Sequence, residues 1–560
     1  MQAQPITSTP SATTKSRIAA LEAALAAVTA ERDRLRASHE RLRLELELLR
    51  RRIFVAKAER VDTAQLELEF AQKLATLDEM GRLAELEAKS ETARSGHTRP
   101  KPTGRRDLKK ATLEEERVEI TDPLHEELVA AGKAKRIGFE ESCKLAYRRG
   151  GMRRLVIARV KYQAVNSQGR SQIETAEMPK ETFERSLAAP SMLAHVVVQK
   201  YCDGMPLARL EDRFTRDGFP VDRGTLCRWV EDAGATLGAT ILAAARKDAM
   251  ATAFCLATDA TGIAIQPDPT PDKRHQPCAR GHYFVLIADR DHIFFEYTPT
   301  ETSAVVEAMF KTFSGYVQAD AKSVYDVLFR PSGQGPPGDE VLRIEVACWS
   351  HARRGMWEAT VAKSVVAREG LARIGRIFEV DALFRSKPPD EIRQLRQVHL
   401  RPYLETFFVW AEEQYALVRD QRGLLRSALG YVVRQKDALM RVLEDGRLEL
   451  SNNRSERQLR RIAVGRKSWL FAYDDDHATA AGHLFSMIAS ARLHGLNPET
   501  YLREVFRVLV HWPKDRYLEL APKYWAATRA RLNPAELAAE IGSLTVPVPL
   551  PAPGQPAAQV

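Results

Sequence analysis

The sequence has few cysteines, no paired cysteine motif and no long apolar run. Its six cysteines are scattered at positions 143, 202, 227, 255, 278 and 348, which predicts free thiols in a reducing compartment rather than a disulfide framework. The clearest uncharged apolar run, Ala233 to Ala245, is too short and too rich in alanine to span a bilayer. No basic segment followed by an apolar one opens the chain. We therefore expect a cytoplasmic protein with no membrane partner.

The chain is long and basic. At 560 residues and 44% hydrophobic content, it has room for roughly three or four units with their own cores. The formal net charge is +10 and the isoelectric point is about 9.2. Such a balance favours a polyanionic partner, and in the absence of a membrane segment that partner is expected to be nucleic acid.

Near the start, apolar residues recur every seven positions at Leu21, Val28, Leu35, Leu42 and Leu49. This period predicts a coiled-coil helix over residues 16–60 and a homo-oligomer formed through it. Because Arg32 and His39 interrupt the second row, the alternative is a single amphipathic helix packed on its own protein. Residues 61–111 are expected to be a helical and basic linker, in which the basic run at 97–110 either contacts phosphates or is a solvated hinge.

Residues 112–185 predict a small β-containing domain. Because Cys143 is the only cysteine there and tetrahedral zinc needs four clustered ligands, we expect no zinc site in it.

Residues 186–250 predict a helical region that resembles a helix-turn-helix, with a break at Asp217–Pro220. Asp222 is expected to cap the second helix, which leaves Arg223, Thr225 and Arg228 available for DNA. The alternative is two ordinary packed helices. A helical C-terminal region is expected over residues 491–545, and a disordered Pro-rich tail over residues 546–560.

Three acidic residues stand where two divalent metals would be held. Asp259 and Asp320 each follow a short apolar run that predicts a strand, and Glu456 lies in a basic helical run. Acids placed in this way can bind two Mg²⁺ or Mn²⁺ ions for attack on a phosphodiester. The spacing matches a ribonuclease-H-like α/β catalytic domain over residues 251–490, with a helical insertion at about 355–445. Asp259 is expected at the turn of a hairpin edge, facing a cleft. In isolation, a surface turn Asp and a surface Glu paired with Arg460 would be the simpler interpretations.

Basic residues surround these acids in the sequence. Those expected to contact DNA near the acids are His351, Arg353, Arg354, Arg457, Arg460, Arg466 and Lys467. A solvated helix start is the alternative for the first three. Trp469 and Phe471 are available to pack in the core or to stack on a base.

Several segments, in this order, give the chain a resemblance to the transposases of the insertion sequence 66 family. They are Arg51–Phe54 through Glu59–Arg60, Gln199–Tyr201 with Met205–Leu207, Gln318–Asp320 followed by Tyr325, Ala347–Arg354, Gly465–Phe471 and Gly495–Leu502. The resemblance implies a bacterial enzyme with an Asp-Asp-Glu triad at Asp259, Asp320 and Glu456. It also implies double-stranded element ends and target DNA as partners, together with accessory proteins of the same element.

The chain departs from the family pattern at a few positions. Ala260 stands where many relatives have Glu, Ser451 stands where relatives often have Asp, and the paired zinc cysteines that often follow the linker are missing. These departures keep other functions open. The alternatives are a transposase-derived DNA-binding protein without catalysis, a nuclease without strand transfer, and a coiled-coil scaffold.

Overall fold

The computed structural model describes residues 114–148, 151–165, 171–184, 186–266, 277–329, 343–362 and 364–549. The predicted coiled coil and linker, residues 16–111, lie outside this part of the chain. Contacts divide the chain into a larger unit (Arg105–His351, Phe378–Pro402 and Gln435–Val560) and a smaller unit (Met1–Gly104, Ala352–Ile377 and Tyr403–Arg434). Across the described residues, no helix has the length and apolar character needed to cross a membrane.

The first sheet of the larger unit contains four strands and one short helix. The strands are β1 (Glu114–Ile120), β2 (Ala134–Arg148), β3 (Gly151–Val165) and β4 (Ser171–Thr175), with α1 (Pro123–Ala130) after β1. Strand β3 pairs with the other three, parallel to β1 and antiparallel to β2 and β4. Asp122 caps α1 by accepting hydrogen bonds from the backbone N–H groups of Leu124 and His125.

Four helices follow: α2 (Pro190–Tyr201), α3 (Leu207–Arg216), α4 (Arg223–Leu237) and, after a π-helical turn, α5 (Ala243–Thr252). The predicted helix, break and helix are therefore present. The predicted cap is confirmed, since a side-chain oxygen of Asp222 accepts a hydrogen bond from the Thr225 backbone N–H at 3.0 Å. Leu210, Phe214 and Leu226 are buried, as their helical spacing predicts.

The second sheet contains five strands in the order β7-β6-β5-β8-β9. They are β5 (Cys255–Ile265), β6 (Ala279–Ala288), β7 (His292–Thr298), β8 (Gly315–Gln318) and β9 (Arg343–Val346), with α6 (Ser303–Met309) between β7 and β8. The first three strands are antiparallel, whereas β5, β8 and β9 are parallel. Strand β5 is therefore the central strand.

The structure corrects one detail of the sequence prediction. Asp259 does not lie at a hairpin turn, because β5 pairs with β6 without interruption from Leu256 to Ile265. The parallel pairing with β8 ends at Ala257. Asp259 is thus in the middle of its strand, just beyond the end of its shorter parallel neighbour.

The remaining part of the chain is helical apart from its turns and its last described residues. Its helices are α7 (Trp349–Val361), α8 (Val365–Ala382), α9 (Pro389–Leu395), α10 (Arg401–Val418), α11 (Leu424–Arg434), α12 (Lys436–Met440), α13 (Asn453–Trp469), α14 (Asp475–Leu493), α15 (Pro498–Val508), α16 (Pro522–Arg529) and α17 (Pro534–Ala538). In the smaller unit Trp410 lies against Gly370, and the guanidinium of Arg373 lies 5.2 Å from the Trp410 ring centroid.

Helix α14 covers the edge of the second sheet. The hydroxyls of Ser486 and Ser490 accept hydrogen bonds from the backbone N–H groups of Phe295 and Ile293 on β7, at 2.7 and 3.0 Å. A bare strand edge would leave such groups unpaired. Gly482 permits the close approach, because a Cβ there would lie 2.6 Å from the carbonyl oxygen of Phe295.

The first residues of the expected Pro-rich tail are held in place. Arg516 donates a hydrogen bond to the Pro547 carbonyl at 2.9 Å, and Arg531 donates one to the Val548 carbonyl. Residues 550–560 lie outside the described part of the chain.

Candidate active site

Asp259 and Asp320 lie side by side on neighbouring parallel strands. The register pairs Ala257 of β5 with Gln318 of β8, and each aspartate stands two residues further along. Because side chains alternate along a strand, both carboxylates point to the same face of the sheet. Both side chains are partly buried, and that of Asp320 is 11% exposed.

Glu456 is brought to the same place by the start of α13. Asn452 precedes this helix, and its side-chain amide donates a 2.6 Å hydrogen bond to the carbonyl oxygen of Thr258, the residue before Asp259. Its backbone carbonyl accepts a hydrogen bond from the Glu456 N–H at 3.3 Å. One buried asparagine therefore fixes the first helical turn to strand β5.

The segment before α13 is tied to β8 and to the start of α7 as well. The Gln318 amide donates to the Glu449 carbonyl at 2.6 Å, and the Trp349 backbone N–H donates to the Leu450 carbonyl at 2.9 Å. Both acceptors are main-chain groups, so the path of the segment is held at two successive residues before Asn452.

The electrostatics of Asp259 show that the acids act on one another. Burial raises the pKa of Asp259 to about 6, and the nearby carboxylates of Asp320 and Glu456 add to this rise. A hydrogen bond from the Ala260 backbone N–H and the charge of Lys322 act in the opposite direction. Like charges gathered in this way favour a bound cation or a bound proton.

Lys322 and His351 are the groups that partly balance these acids. The Lys322 ammonium lies 3.5 Å from Asp320 Oδ2 and 3.4 Å from Glu301 Oε1. Burial lowers the pKa of Lys322, but Asp320, Glu301 and Asp259 outweigh it and raise the pKa overall. His351 Nε2 lies 3.9 Å from Glu456 Oε1.

An open groove of about 580 Å³ runs beside β5, next to Asp259. Two arginines line it, Arg280 from β6 and Arg466 from α13. Arg466 donates hydrogen bonds to the Gly262 carbonyl and to Thr261 Oγ1, the latter at 3.3 Å. The groove therefore offers positive charge next to the acids.

Comparisons with known proteins identify the family of the chain. A family model described as "Transposase IS66 family" matches residues 185–480, more than half of the sequence, and includes all three acids. The chain belongs to the IS66 family of transposases. Two further models match outside this region, "IS66 C-terminal element" at residues 486–522 and "Transposase C of IS166 homeodomain" at residues 41–118.

Curated relatives of this transposase come from Sinorhizobium fredii. The uncharacterized protein y4hP is 26% identical over 514 residues, which cover 86% of this chain and 88% of the relative. The uncharacterized protein y4qI is 25% identical over 391 residues, which cover 69% and 71% of the two chains. The family match supports a transposase role and a DNA-processing activity.

The basic residues expected to contact DNA near the IS66 acids occupy two helices. On α13, Arg457, Arg460 and Lys467 are exposed, whereas Arg466 is half-buried against β5. On α7, His351 belongs to the candidate site, and Arg353 and Arg354 follow as exposed residues in the part of the helix assigned to the smaller unit. Their contacts with DNA remain predictions.

A third group of expected DNA contacts lies at the start of α4. Arg223 and Arg228 are exposed there, and Thr225 is half-buried. The Arg228 guanidinium donates to Thr225 Oγ1 at 3.0 Å, and this hydroxyl donates to Asp222 Oδ2 at 2.7 Å. This chain of hydrogen bonds fixes the arginine close to the helix N-terminus. Its role in DNA binding also remains a prediction.

Sequence reasoning missed Lys322 and Arg280. Lys322 stands two residues after Asp320, so a basic residue directly beyond a predicted metal-binding strand was the available signal. Arg280 carried no local signal, since it reaches β5 only through the pairing of Ala264 with Arg280 in the β5–β6 hairpin.

Proposed function

We propose that this chain is the transposase of a bacterial insertion sequence, which binds the ends of its element and catalyses metal-dependent DNA cleavage and strand transfer. One observation carries the proposal. Asp259 and Asp320 lie on neighbouring parallel strands, and the Asn452–Thr258 hydrogen bond holds the helix of Glu456 against the first of them. In this proposal the three acids form the Asp-Asp-Glu triad.

The topology of the second sheet supports a ribonuclease-H-like catalytic domain. Three antiparallel strands are followed by two parallel ones, in the order β7-β6-β5-β8-β9. A long helical stretch separates β9 from α13. Loops and helix starts at the carboxyl end of the parallel strands are where α/β folds commonly place ligands.

The donor set of the proposed site fits Mg²⁺ or Mn²⁺. Carboxylate oxygens are the ligands that these ions prefer. Asp320 Oδ1 is buried and lacks a hydrogen-bond partner among the described residues, so it retains capacity to bind a cation. When bound, such ions activate the attacking oxygen and stabilise the leaving oxygen of a phosphodiester.

The chain's own residues have distinct roles in the proposed mechanism. Asp259, Asp320 and Glu456 hold the ions, and Lys322 supplies a counter-charge to Asp320. Arg280 and the exposed arginines of α13 hold the DNA backbone beside the acids. Asn452 positions Glu456 without touching the substrate.

The test is Mg²⁺-dependent cleavage and joining of DNA that carries the native element ends, with the accessory proteins of the same element supplied. We expect activity from the natural protein and none above background from Asp320→Asn. Asp326→Asn is the matched control, because this aspartate is exposed on the turn that follows and undergoes the same change. Its activity is expected to remain.

Other outcomes would contradict parts of the proposal. DNA binding without any cleavage by the natural protein would indicate a transposase-derived DNA-binding protein. Cleavage without joining would indicate a nuclease. Equal activity of Asp320→Asn and the natural protein would exclude the proposed triad.

A further inference from the structure

A second group of metal-binding side chains lies away from the candidate active site, where α4 crosses α14. Cys227 and Glu231 are four residues apart on α4, so they share one face of the helix. His477 lies in the first turn of α14. The possible ligand atoms of these three residues all lie within 4.8 Å of one another. The proposed DNA chemistry uses none of them.

The crossing that brings them together is tightly packed. A Cβ at Gly234 would lie 2.3 Å from the carbonyl oxygen of Ala480, so the two helix backbones are in direct contact. His483 Nδ1 lies 3.0 Å from the Gly234 carbonyl oxygen. The His477 backbone N–H donates a 2.6 Å hydrogen bond to the capping carboxylate of Asp474. The ligand atoms are therefore held in place without a metal.

The geometry of the sulfur and nitrogen atoms fits a tetrahedral metal. Cys227 Sγ lies 3.5 Å from His477 Nδ1. Zinc binds sulfur at about 2.3 Å and imidazole nitrogen at about 2.0–2.1 Å, so a tetrahedral angle places the two atoms roughly 3.5–3.6 Å apart. A thiolate and an imidazole also select zinc or a similar transition metal over Mg²⁺.

We propose that Cys227, Glu231 and His477 form a binding site for one zinc-like divalent transition metal, distinct from the Mg²⁺ or Mn²⁺ site of the acids. The fourth position is filled by water or by Asp474. Besides burial, the charges of Asp474 and its neighbours raise the pKa of both Cys227 and Glu231. The surroundings are thus negative, which favours a cation.

Lys200 sets the proton balance of this site. Its ammonium lies 3.0 Å from His477 Nε2 and, without metal, donates to that nitrogen, so Nδ1 carries the ring proton. When the metal binds, it replaces the thiol proton of Cys227 and the Nδ1 proton. The ring then holds its proton at Nε2 and donates it to the neutral Lys200 amine, so two protons leave for each metal bound. A histidine ligand commonly has its second nitrogen fixed in this way.

A metal at this position would join α4, whose first turn carries Arg223 and Arg228, to α14, which covers β7 of the candidate catalytic domain. The helix predicted to contact DNA and the catalytic sheet would then share one rigid connection. Such a metal stabilises the fold and takes no part in the reaction.

The test is a titration of the full-length, metal-free protein with Co²⁺, which reports a thiolate ligand through its near-ultraviolet charge-transfer absorption. We expect one equivalent of Co²⁺ to produce this band and Zn²⁺ to displace it. Cys227→Ser should abolish the band, and Glu231→Gln should weaken binding. Cys202→Ser is the matched control, because Cys202 is a half-buried cysteine outside the cluster, and it should keep the band.

The outcomes separate clearly. A band that persists in Cys227→Ser, or no band in the natural protein, would overturn the proposal. Circular dichroism and metal-free thermal unfolding show whether each variant is folded, and His477→Gln provides a second ligand change if Cys227→Ser is not. The titration contains no DNA, so its result is independent of the cleavage assay.

Discussion

The buried carboxyl group of Asp259 makes a definite prediction about stability. Burial and the neighbouring acids raise its pKa from 3.8 to about 6. Below pH about 4 this group is protonated in both the folded and the unfolded protein. As the pH rises to about 6, the unfolded chain loses the proton while the folded protein keeps it, so the free energy of unfolding decreases. Above that pH the cost is complete.

We therefore expect Asp259→Asn to stabilise the metal-free protein at pH 8 by about 1–3 kcal/mol, because asparagine carries no charge at any pH. The gain should decrease toward pH 4. Urea unfolding in the presence of a chelator measures it, and Asp326→Asn, at an exposed site, should change stability by less than about 0.5 kcal/mol. Destabilisation by Asp259→Asn at pH 8 would show that the acids do not repel one another.

At the scale of the elements, the first turn of α13 depends on one side chain. Asn452 is 1% exposed and donates to the Thr258 carbonyl at 2.6 Å. Removal of this amide leaves a buried acceptor without its partner, at a cost of about 1–3 kcal/mol. We expect Asn452→Ala to lower stability by that amount and to reduce cleavage activity, because Glu456 loses its anchor.

Asn453 offers a matched control for this change. It is the next residue, it is exposed, and it begins the same helix. Asn453→Ala should leave both the free energy of unfolding and the cleavage rate almost unchanged. If the two alanine variants behaved alike, the hydrogen bond to β5 would not be what positions Glu456.

The elements that carry the site could be predicted from local sequence, but their meeting could not. The short apolar runs before Asp259 and Asp320 and the helical period around Glu456 predict β5, β8 and α13. The pairing of β5 with β8 joins residues about 60 positions apart, and the cluster of Cys227 with His477 joins residues 250 positions apart. Nothing in a local pattern specifies such contacts.

The misplaced turn at Asp259 has a similar cause. Asp259 to Gly262 has the composition of a turn, and the buried face changes along β5, so the run does not show one continuous alternation. Pairing with β6 overrides the local preference and extends the strand to Ile265. The tertiary partner, rather than the local residues, determined where this strand ends.

At the scale of the whole molecule, the net charge of +10 predicts DNA binding that weakens steeply as salt increases. Each phosphate neutralised by a basic side chain contributes about 0.9 to the slope of log affinity against log salt concentration. A change that removes one charge without removing a phosphate contact alters the long-range attraction only. Two variants of equal charge can therefore distinguish a contact from a general effect of charge.

Arg460 and Arg385 form such a pair. Both are exposed, and replacement of either by glutamine lowers the net charge by one. Arg460 stands one turn after Glu456 on α13, so Arg460→Gln should reduce the salt slope by about 0.9 on any duplex sequence, as the loss of one phosphate contact requires. Arg385→Gln should leave the slope unchanged. Fluorescence anisotropy over a series of salt concentrations measures both slopes, and equal slopes for the two variants would place the DNA away from this face of α13.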